Sequence, residues 1–211
     1  MPPPPATVFL VDDDRSFLSA VSRLLRAGGY TVQIFSSATE FLQSARADTP
    51  GCVLLDLHMP GPSGLDLQDA LAKTQNPWPI IFLTGQGDIP SSVQAMRGGA
   101  EDFLTKPVRK VILFAAIERA LARDRRERQQ RARRRELRAL YATLTPRERE
   151  VMALVISGKL NKQIAADLGT VERTVKAHRA QVMQKMKVTS LADLVRAAGE
   201  LSGGAELSSN P

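Results

Sequence analysis

The sequence predicts an α/β fold, a doubly wound sheet of five parallel strands, joined by a long helix to an all-α four-helix unit. Three observations carry this expectation. Short apolar runs alternate five times with helical periods over the first 118 residues. Strand signals then stop and an arginine-rich stretch begins. Beyond it, helix start and stop signals follow one another closely over residues 142–200.

The strand runs are 8–11, 32–35, 53–57, 80–83 and 102–104. Between them, Phe17, Leu18, Val21, Leu24 and Leu25 mark the first helix. Phe41, Leu42 and Ala45 mark the second, Leu65, Leu67 and Leu71 the third, Val93 and Met96 the fourth. The fifth runs through Val111, Leu113, Phe114, Ile117 and Leu121. Right-handed crossovers between parallel strands place helices on both faces, and the ligand crevice then lies outside the carboxyl ends of the strands. The fifth helix has no stop signal. Residues 119–138 hold ten arginines, with no Gly or Pro before Pro146. This stretch, over 123–141, is expected to be a solvated helical connector, with contact between some arginines and DNA phosphates as the alternative.

The four-helix unit opens with Thr145 as N-cap, Pro146 in the first helical position and Glu148 completing a capping box. Gly158 ends that helix, Asn161 is expected to cap the second, and Leu168-Gly169 closes it. A third helix is expected over 172–186 and a fourth over 190–198. Residues 1–5 are expected to be a disordered tail and residues 201–211, rich in Gly and Ser, a flexible one.

Of the 211 residues, 43% are apolar and 24% charged, as in soluble globular proteins. No apolar stretch approaches the roughly 18 residues of a membrane helix, and the start MPPPPA lacks the features of a signal peptide. A cytoplasmic protein without membrane contact is expected. The single cysteine, Cys52, cannot form an internal disulfide and sits in an apolar run as a small core residue. The net charge of +7 is divided unevenly: residues 1–118 carry 9 basic and 12 acidic side chains, residues 119–211 carry 20 and 10. Two domains with different partners follow, the basic one suited to nucleic acid or an anionic surface.

At the predicted crevice stand Asp12 and Asp13 after the first strand, Asp56 near the end of the third, Thr84 closing the fourth and Lys106 after the fifth. Crowded carboxylates need a cation, and hard oxygen donors suit Mg²⁺ or Mn²⁺. A carboxylate can also take up a phosphoryl group, given an ammonium and a hydroxyl to hold the transferring oxygens.

VDDD at 11–14, LLDLHMPGPSG at 54–64, LTGQGD at 83–88 and FLTKP at 103–107 resemble the receiver domain of bacterial two-component response regulators. The resemblance, over residues 6–122, implies a flavodoxin-like fold in which Asp56 accepts phosphate from a sensor histidine kinase. It further implies that Asp13, Asp56 and the backbone carbonyl of His58 hold the metal, with Asp12 acting through a water. Thr84 and Lys106 would hold the phosphoryl oxygens, and Phe103 would be either the aromatic that turns inward on activation or a packed strand residue. The His58 and Gln86 side chains would tune phosphate lifetime. Asp14 is expected to lie outside the site, solvated and dispensable. Met59-Pro60 and Gly64 would shape the loop after the acceptor, and the Lys106-Pro107 bond would be cis.

In the basic half, a helix–turn–helix with basic residues on its second helix suits the major groove. Val175, His178, Val182 and Met186 repeat at the helical period and are expected to face the core, His178 as a packing residue. Arg173, Lys176, Ala177, Ala180, Gln181 and Gln184 fall on the other face, where Lys176 can reach a guanine edge or a phosphate. Lys162, Thr174, Arg179 and Lys185 are phosphate-contact candidates. The stretch LTPREREVMALVISGKLNKQIAADLGTVERTVKAHRAQVMQKMKV, at 144–188, resembles the DNA-binding domain of the LuxR/NarL class. The class usually places Ser or Thr where Val171 stands and an aliphatic where Thr170 stands, so Thr170 is expected to cap the third helix and shift its start. The resemblance also implies a dimer seam of Leu191, Leu194 and Val195.

The pairing of the two halves resembles the FixJ/TodT/StyR-like branch of NarL/LuxR-class regulators. It implies a transcription factor, not an enzyme, whose phosphorylation promotes a homodimer on a double-stranded operator in reach of RNA polymerase. The alternatives are a phosphorylation-independent regulator and a Mg²⁺-dependent aspartyl-phosphate phosphohydrolase.

Overall fold

The computed structural model describes residues 6–46, 48–74, 77–85 and 89–202. Strands β1 (Thr7–Val11), β2 (Thr31–Phe35), β3 (Gly51–Asp56), β4 (Ile80–Thr84) and β5 (Asp102–Thr105) form one sheet in the order β2-β1-β3-β4-β5, every neighbouring pair parallel. Helices α1 (Arg15–Ala27), α2 (Ala38–Ser44), α3 (Gly64–Ala72), α4 (Ile89–Arg97) and the start of α5 (Lys110–Ala142) cross between them. The order reverses between β1 and β3, so the switch point of the sheet falls beside Asp12 and Asp56.

β1, β3 and β4 are buried along their whole length, which is why they read as unbroken apolar runs. Alternate residues feed two cores. Phe9, Val11, Phe41, Trp78 and Phe82 pack on one face, and Val8, Leu10, Leu25, Leu54, Ile81, Leu113 and Ile117 on the other. Cys52 belongs to the second core, and burial pushes its thiol well above the ordinary cysteine value. β2 is an edge strand and buries only Val32 and Phe35.

At Gly51 the sheet has no room for a side chain: a Cβ there would stand 2.0 Å from the Thr7 carbonyl oxygen. Gly51→Ala is expected to lower stability by about 3 kcal/mol, because backbone on both strands must move. A urea midpoint within error of the unmodified protein would show that the strands part at no cost.

Asp14 corrects one expectation. It is the N-cap of α1, and its carboxylate accepts hydrogen bonds from the N–H groups of Ser16 (2.8 Å) and Phe17 (3.1 Å). It is therefore a structural residue, not a dispensable charge.

The chain divides into two compact units after Arg128, within α5. Leu113, Ala116, Ile117 and Ala120 bury the first turns of α5 in the second core of the sheet. Four residues on, Asp124 is only 2% exposed. It accepts a hydrogen bond from the Gly51 N–H at 3.0 Å and from Arg128 Nε at 2.8 Å. Arg128 in turn donates to the carbonyls of Asp48 (3.2 Å) and Thr49 (2.8 Å). Residues 124–128 of the expected solvated connector are thus fastened to the first unit.

In the second unit, Leu137 of α5 joins α6 (Pro146–Ile156), α7 (Asn161–Asp167), α8 (Glu172–Lys185) and α9 (Leu191–Ser202). Val151, Val155, Ile164, Val175, Val182 and Leu194 form the core. Thr145 and Glu148 make the expected capping box, with Pro146 in the first turn. Three details differ from expectation. Leu160, not Asn161, holds the N-cap position of α7, and its N–H donates to Gln163 Oε1 at 2.8 Å. Val171 holds the N-cap position of α8 and, having no side-chain acceptor, makes no capping bond; Thr170 belongs to the turn that closes α7, its N–H donating to Ala165 O at 2.9 Å. The start of α8 is accordingly not shifted. Leu201 and Ser202, expected in the tail, complete α9. The remaining tail residues, 1–5 and 203–211, lie outside the described residues. Among the described residues no helix is long and apolar enough to cross a membrane.

Candidate functional site

Three side chains meet at the carboxyl edge of the sheet. Asp12 directly follows β1, Asp56 ends β3, and Lys106 directly follows β5. The Lys106 Nζ donates to Asp12 Oδ2 at 2.6 Å and to Asp56 Oδ1 at 2.9 Å. Backbone bonds fix each participant. The Asp14 N–H donates to Asp12 Oδ1 (3.0 Å), the His58 N–H to Asp56 Oδ2 (2.9 Å), and the Lys106 N–H to Thr84 O (2.8 Å). The Phe17 ring centroid lies 4.0 Å from the ammonium, a cation–π contact on a further side. The Lys106-Pro107 peptide is cis, as the resemblance implies.

Both carboxylates are nearly sealed from water, Asp12 at 1% and Asp56 at 5% exposure. Burial pushes the Asp12 carboxyl above the ordinary aspartate value against the opposing Lys106 bond. For Lys106, burial works against the ammonium, but its bonds to Asp12 and Asp56 outweigh it and hold the pKa above the ordinary lysine value. Two carboxylates share one ammonium, so the cluster is one positive charge short of neutral. Hard oxygen donors with residual negative charge fit a divalent cation such as Mg²⁺. Asp13 is exposed, and among the described residues no three acidic, His or Cys side chains stand close enough to form a metal cage by themselves.

The other expected members are placed as follows. Thr84 is fully buried at the end of β4. Phe103 is half-buried on β5, its ring centroid 6.0 Å from that of Phe82, so it is packed against the sheet core. The His58 side chain is exposed. Gln86 lies outside the described residues. Gly64 allows the loop after Asp56 to close: a Cβ there would stand 2.4 Å from the Asp56 carbonyl oxygen.

In the second unit α7 and α8 form the helix–turn–helix pair. Lys162, Arg173, Lys176, Ala177, Ala180 and Gln181 are exposed, the last five along one side of α8. Thr174 and His178 are half-buried. Two cations are used internally. Arg179 Nη1 donates to Asn161 Oδ1 at 2.8 Å, tying α8 to α7. Lys185 Nζ donates to Glu148 Oε2 at 2.6 Å and Oε1 at 2.9 Å, and to Thr143 O at 3.3 Å. Glu148 is 5% exposed. Its carboxyl is held below the ordinary glutamate range by the Lys185 bond first and the Thr145 N–H next. Sequence reasoning assigned Lys185 to phosphate and gave Glu148 only a cap. The dimer seam is also corrected: Leu194 is buried in the unit's own core, and of the three residues only Leu191 and Val195 are exposed.

Comparison with known proteins agrees with both halves. The family described as response regulator receiver domain matches residues 8–118, and the family described as bacterial regulatory proteins, luxR family, matches residues 142–198. Nodulation protein W of Bradyrhizobium diazoefficiens is 49% identical over 191 residues, covering 90% of this chain and 84% of that protein. Response regulator protein TodT of Pseudomonas putida is 43% identical over 201 residues, covering 95% of this chain and 88% of that protein. The solved structure of the response regulator StyR is similar with a TM-score of 0.84 at 44% identity, over 93% of this chain and 99% of that one. Full-length FixJ from B. japonicum gives a TM-score of 0.57 at 37% identity, over 94% and 98% of the two chains.

Proposed function

The chain belongs to the two-component response regulators that join a receiver domain to a LuxR-family DNA-binding domain, and from this premise we propose that phosphorylation of Asp56 switches its binding to DNA. As members of that family act as transcription regulators, so does this protein, and the phosphohydrolase alternative is set aside. The observation that carries the proposal is the Lys106 ammonium held by both Asp12 and Asp56 at the switch point of the sheet.

An Asp56 oxygen attacks the phosphorus of a phosphohistidine on the sensor kinase, the phosphorus–nitrogen bond breaks, and the imidazole leaves. Asp12, Asp13, Asp56 and the His58 carbonyl would hold Mg²⁺ or Mn²⁺, which supplies Lewis-acid stabilisation of the phosphoryl oxygens. Lys106, already bonded to Asp56, turns to a new phosphoryl oxygen, and Thr84 offers a hydroxyl at the end of β4. Phe103, half-buried against Phe82, is by resemblance the aromatic that turns inward on activation. His58 and, by resemblance, Gln86 set the access of water to the acyl phosphate.

The receiver domain spans residues 6–122, the connector 123–141 and the DNA-binding domain 142–200. Phosphorylation favours a homodimer, whose two DNA-binding domains share one operator and gain effective concentration. On α8, Arg173, Lys176, Ala177, Ala180 and Gln181 face the major groove, with Lys162 and Thr174 at the phosphates. The setting is the cytoplasm, and RNA polymerase reads the outcome.

The test is a duplex-binding titration at fixed salt with and without acetyl phosphate or beryllofluoride and Mg²⁺. The donor is expected to tighten binding and raise the mass in solution toward a dimer. Affinity and mass indifferent to every donor would leave a regulator that works without phosphate.

A further inference from the structure

We infer that Arg134, Arg135 and Arg138 of the connector helix form a second, sequence-independent contact to DNA phosphates, outside the helix–turn–helix. The inference rests on the DNA-binding function of the second unit and adds a surface to it.

The arginines of α5 fall into two sets. In the first unit Arg119 pairs with Asp102 at 2.6 Å, Arg123 with Glu127 at 2.8 Å and Glu101 at 3.4 Å, and Arg128 with Asp124 at 2.8 Å, while Arg125 and Arg126 are exposed and meet no carboxylate among the described residues. In the second unit residues 129–142 contain one acid, Glu136, and Arg133 holds it at 3.1 Å. Arg133 also reaches Glu200 at 3.5 Å. Arg134, Arg135 and Arg138 are exposed, and among the described residues none of them meets a carboxylate.

This pattern opposes the helix that carries it. Arg131 and Arg135, and Arg134 and Arg138, are like-charge pairs four residues apart, about 6 Å along the axis, an arrangement that weakens a helix. Leu137, Leu140 and Tyr141 turn toward the core of the second unit. Arg134, Arg138 and Arg135 stand roughly 60°, 100° and 160° round the helix from Leu137, all on one side of it, and all three are exposed. Packing therefore gives no reason for the three guanidinium groups, and self-repulsion argues against them. A polyanion removes that repulsion. DNA is favoured over an anionic membrane because the same unit exposes Lys162, Arg173 and Lys176 on its helix–turn–helix pair.

The test uses the full chain and two variants, Arg134→Gln/Arg135→Gln/Arg138→Gln and the same three positions changed to Lys. Gln keeps the helix propensity of Arg. Binding is measured over a range of salt to a duplex selected from a random pool by the unmodified protein, and to a mixed-sequence duplex. The Gln variant is expected to flatten the dependence of log K on log salt by about 2–3 per protomer. At moderate salt it should bind both duplexes about tenfold more weakly, since phosphates carry no sequence information. The Lys variant should recover most of the loss. An unchanged slope overturns the inference, as does a loss seen only with anionic phospholipid vesicles. A lowered unfolding midpoint with an intact slope also overturns it, by showing a packing role. Should the unmodified protein bind neither duplex at any salt, the DNA-binding reading itself has failed, which is a different result.

Discussion

Asp56→Asn protein incubated with Mg²⁺ and acetyl phosphate is expected to gain no acid-labile phosphoryl mass, while the unmodified protein gains one equivalent. The effect should be complete, because an amide nitrogen is no nucleophile at neutral pH and no other described carboxylate shares the Lys106 ammonium except Asp12. Stability should move the other way. The substitution removes one of two buried carboxylates that compete for a single cation, so the unfolding midpoint should hold or rise, by about 1 kcal/mol in free energy. Intact-mass measurement near neutral pH, before and after an acid step, beside a urea titration, checks both. Acid-labile mass persisting in the variant would place the acceptor elsewhere, and a large fall in stability would make Asp56 a structural residue.

Removing the ion pair between Glu148 and Lys185 is expected to loosen the second unit without altering its charge contact with DNA. Glu148→Gln should destabilise that unit by about 2 kcal/mol, the lower part of the range for bonds to charged groups, since Lys185 remains partly in water. Lys185→Met should do the same and leave the salt dependence of DNA binding unchanged. A shallower dependence in that variant would return Lys185 to the phosphate contacts. The pair also sets a pH response. The folded carboxyl of Glu148 lies below its ordinary value. Its stabilising effect is therefore complete above the unfolded value, roughly 4.3, and is lost as pH falls through the lower folded value. Hydrogen exchange of the α6 amides should accelerate over that acid interval in the unmodified protein and respond less in Glu148→Gln.

The strands were legible because three of them are buried on both faces and so appear as continuous apolar runs, and the carboxyl-edge cluster because parallel topology gathers strand ends. What stayed hidden depended on distance along the chain. Asp124 stands in an arginine-rich polar stretch, and the amide that explains it, at Gly51, is 73 residues away. Lys185 is locally indistinguishable from a phosphate contact, and Glu148 lies 37 residues earlier. Of the three opening aspartates, Asp12 and Asp13 read as cation ligands and Asp14 as a dispensable charge. In the structure Asp12 is bonded to Lys106, Asp13 is exposed and Asp14 is a helix cap. Thr170 looked like a cap because capping preference is local, whereas the structure places it in the turn that closes the preceding helix and leaves Val171 at the N-cap position.

The fastening of Asp124 and Arg128 fixes where the first unit can be cut. A truncation or chimera joined at residue 118, where the family match stops, would leave the Gly51 amide and the Asp48 and Thr49 carbonyls facing a severed helix. Transplanting this receiver onto another output therefore requires carrying the native chain through Arg128, and any new fusion seam belongs beyond it.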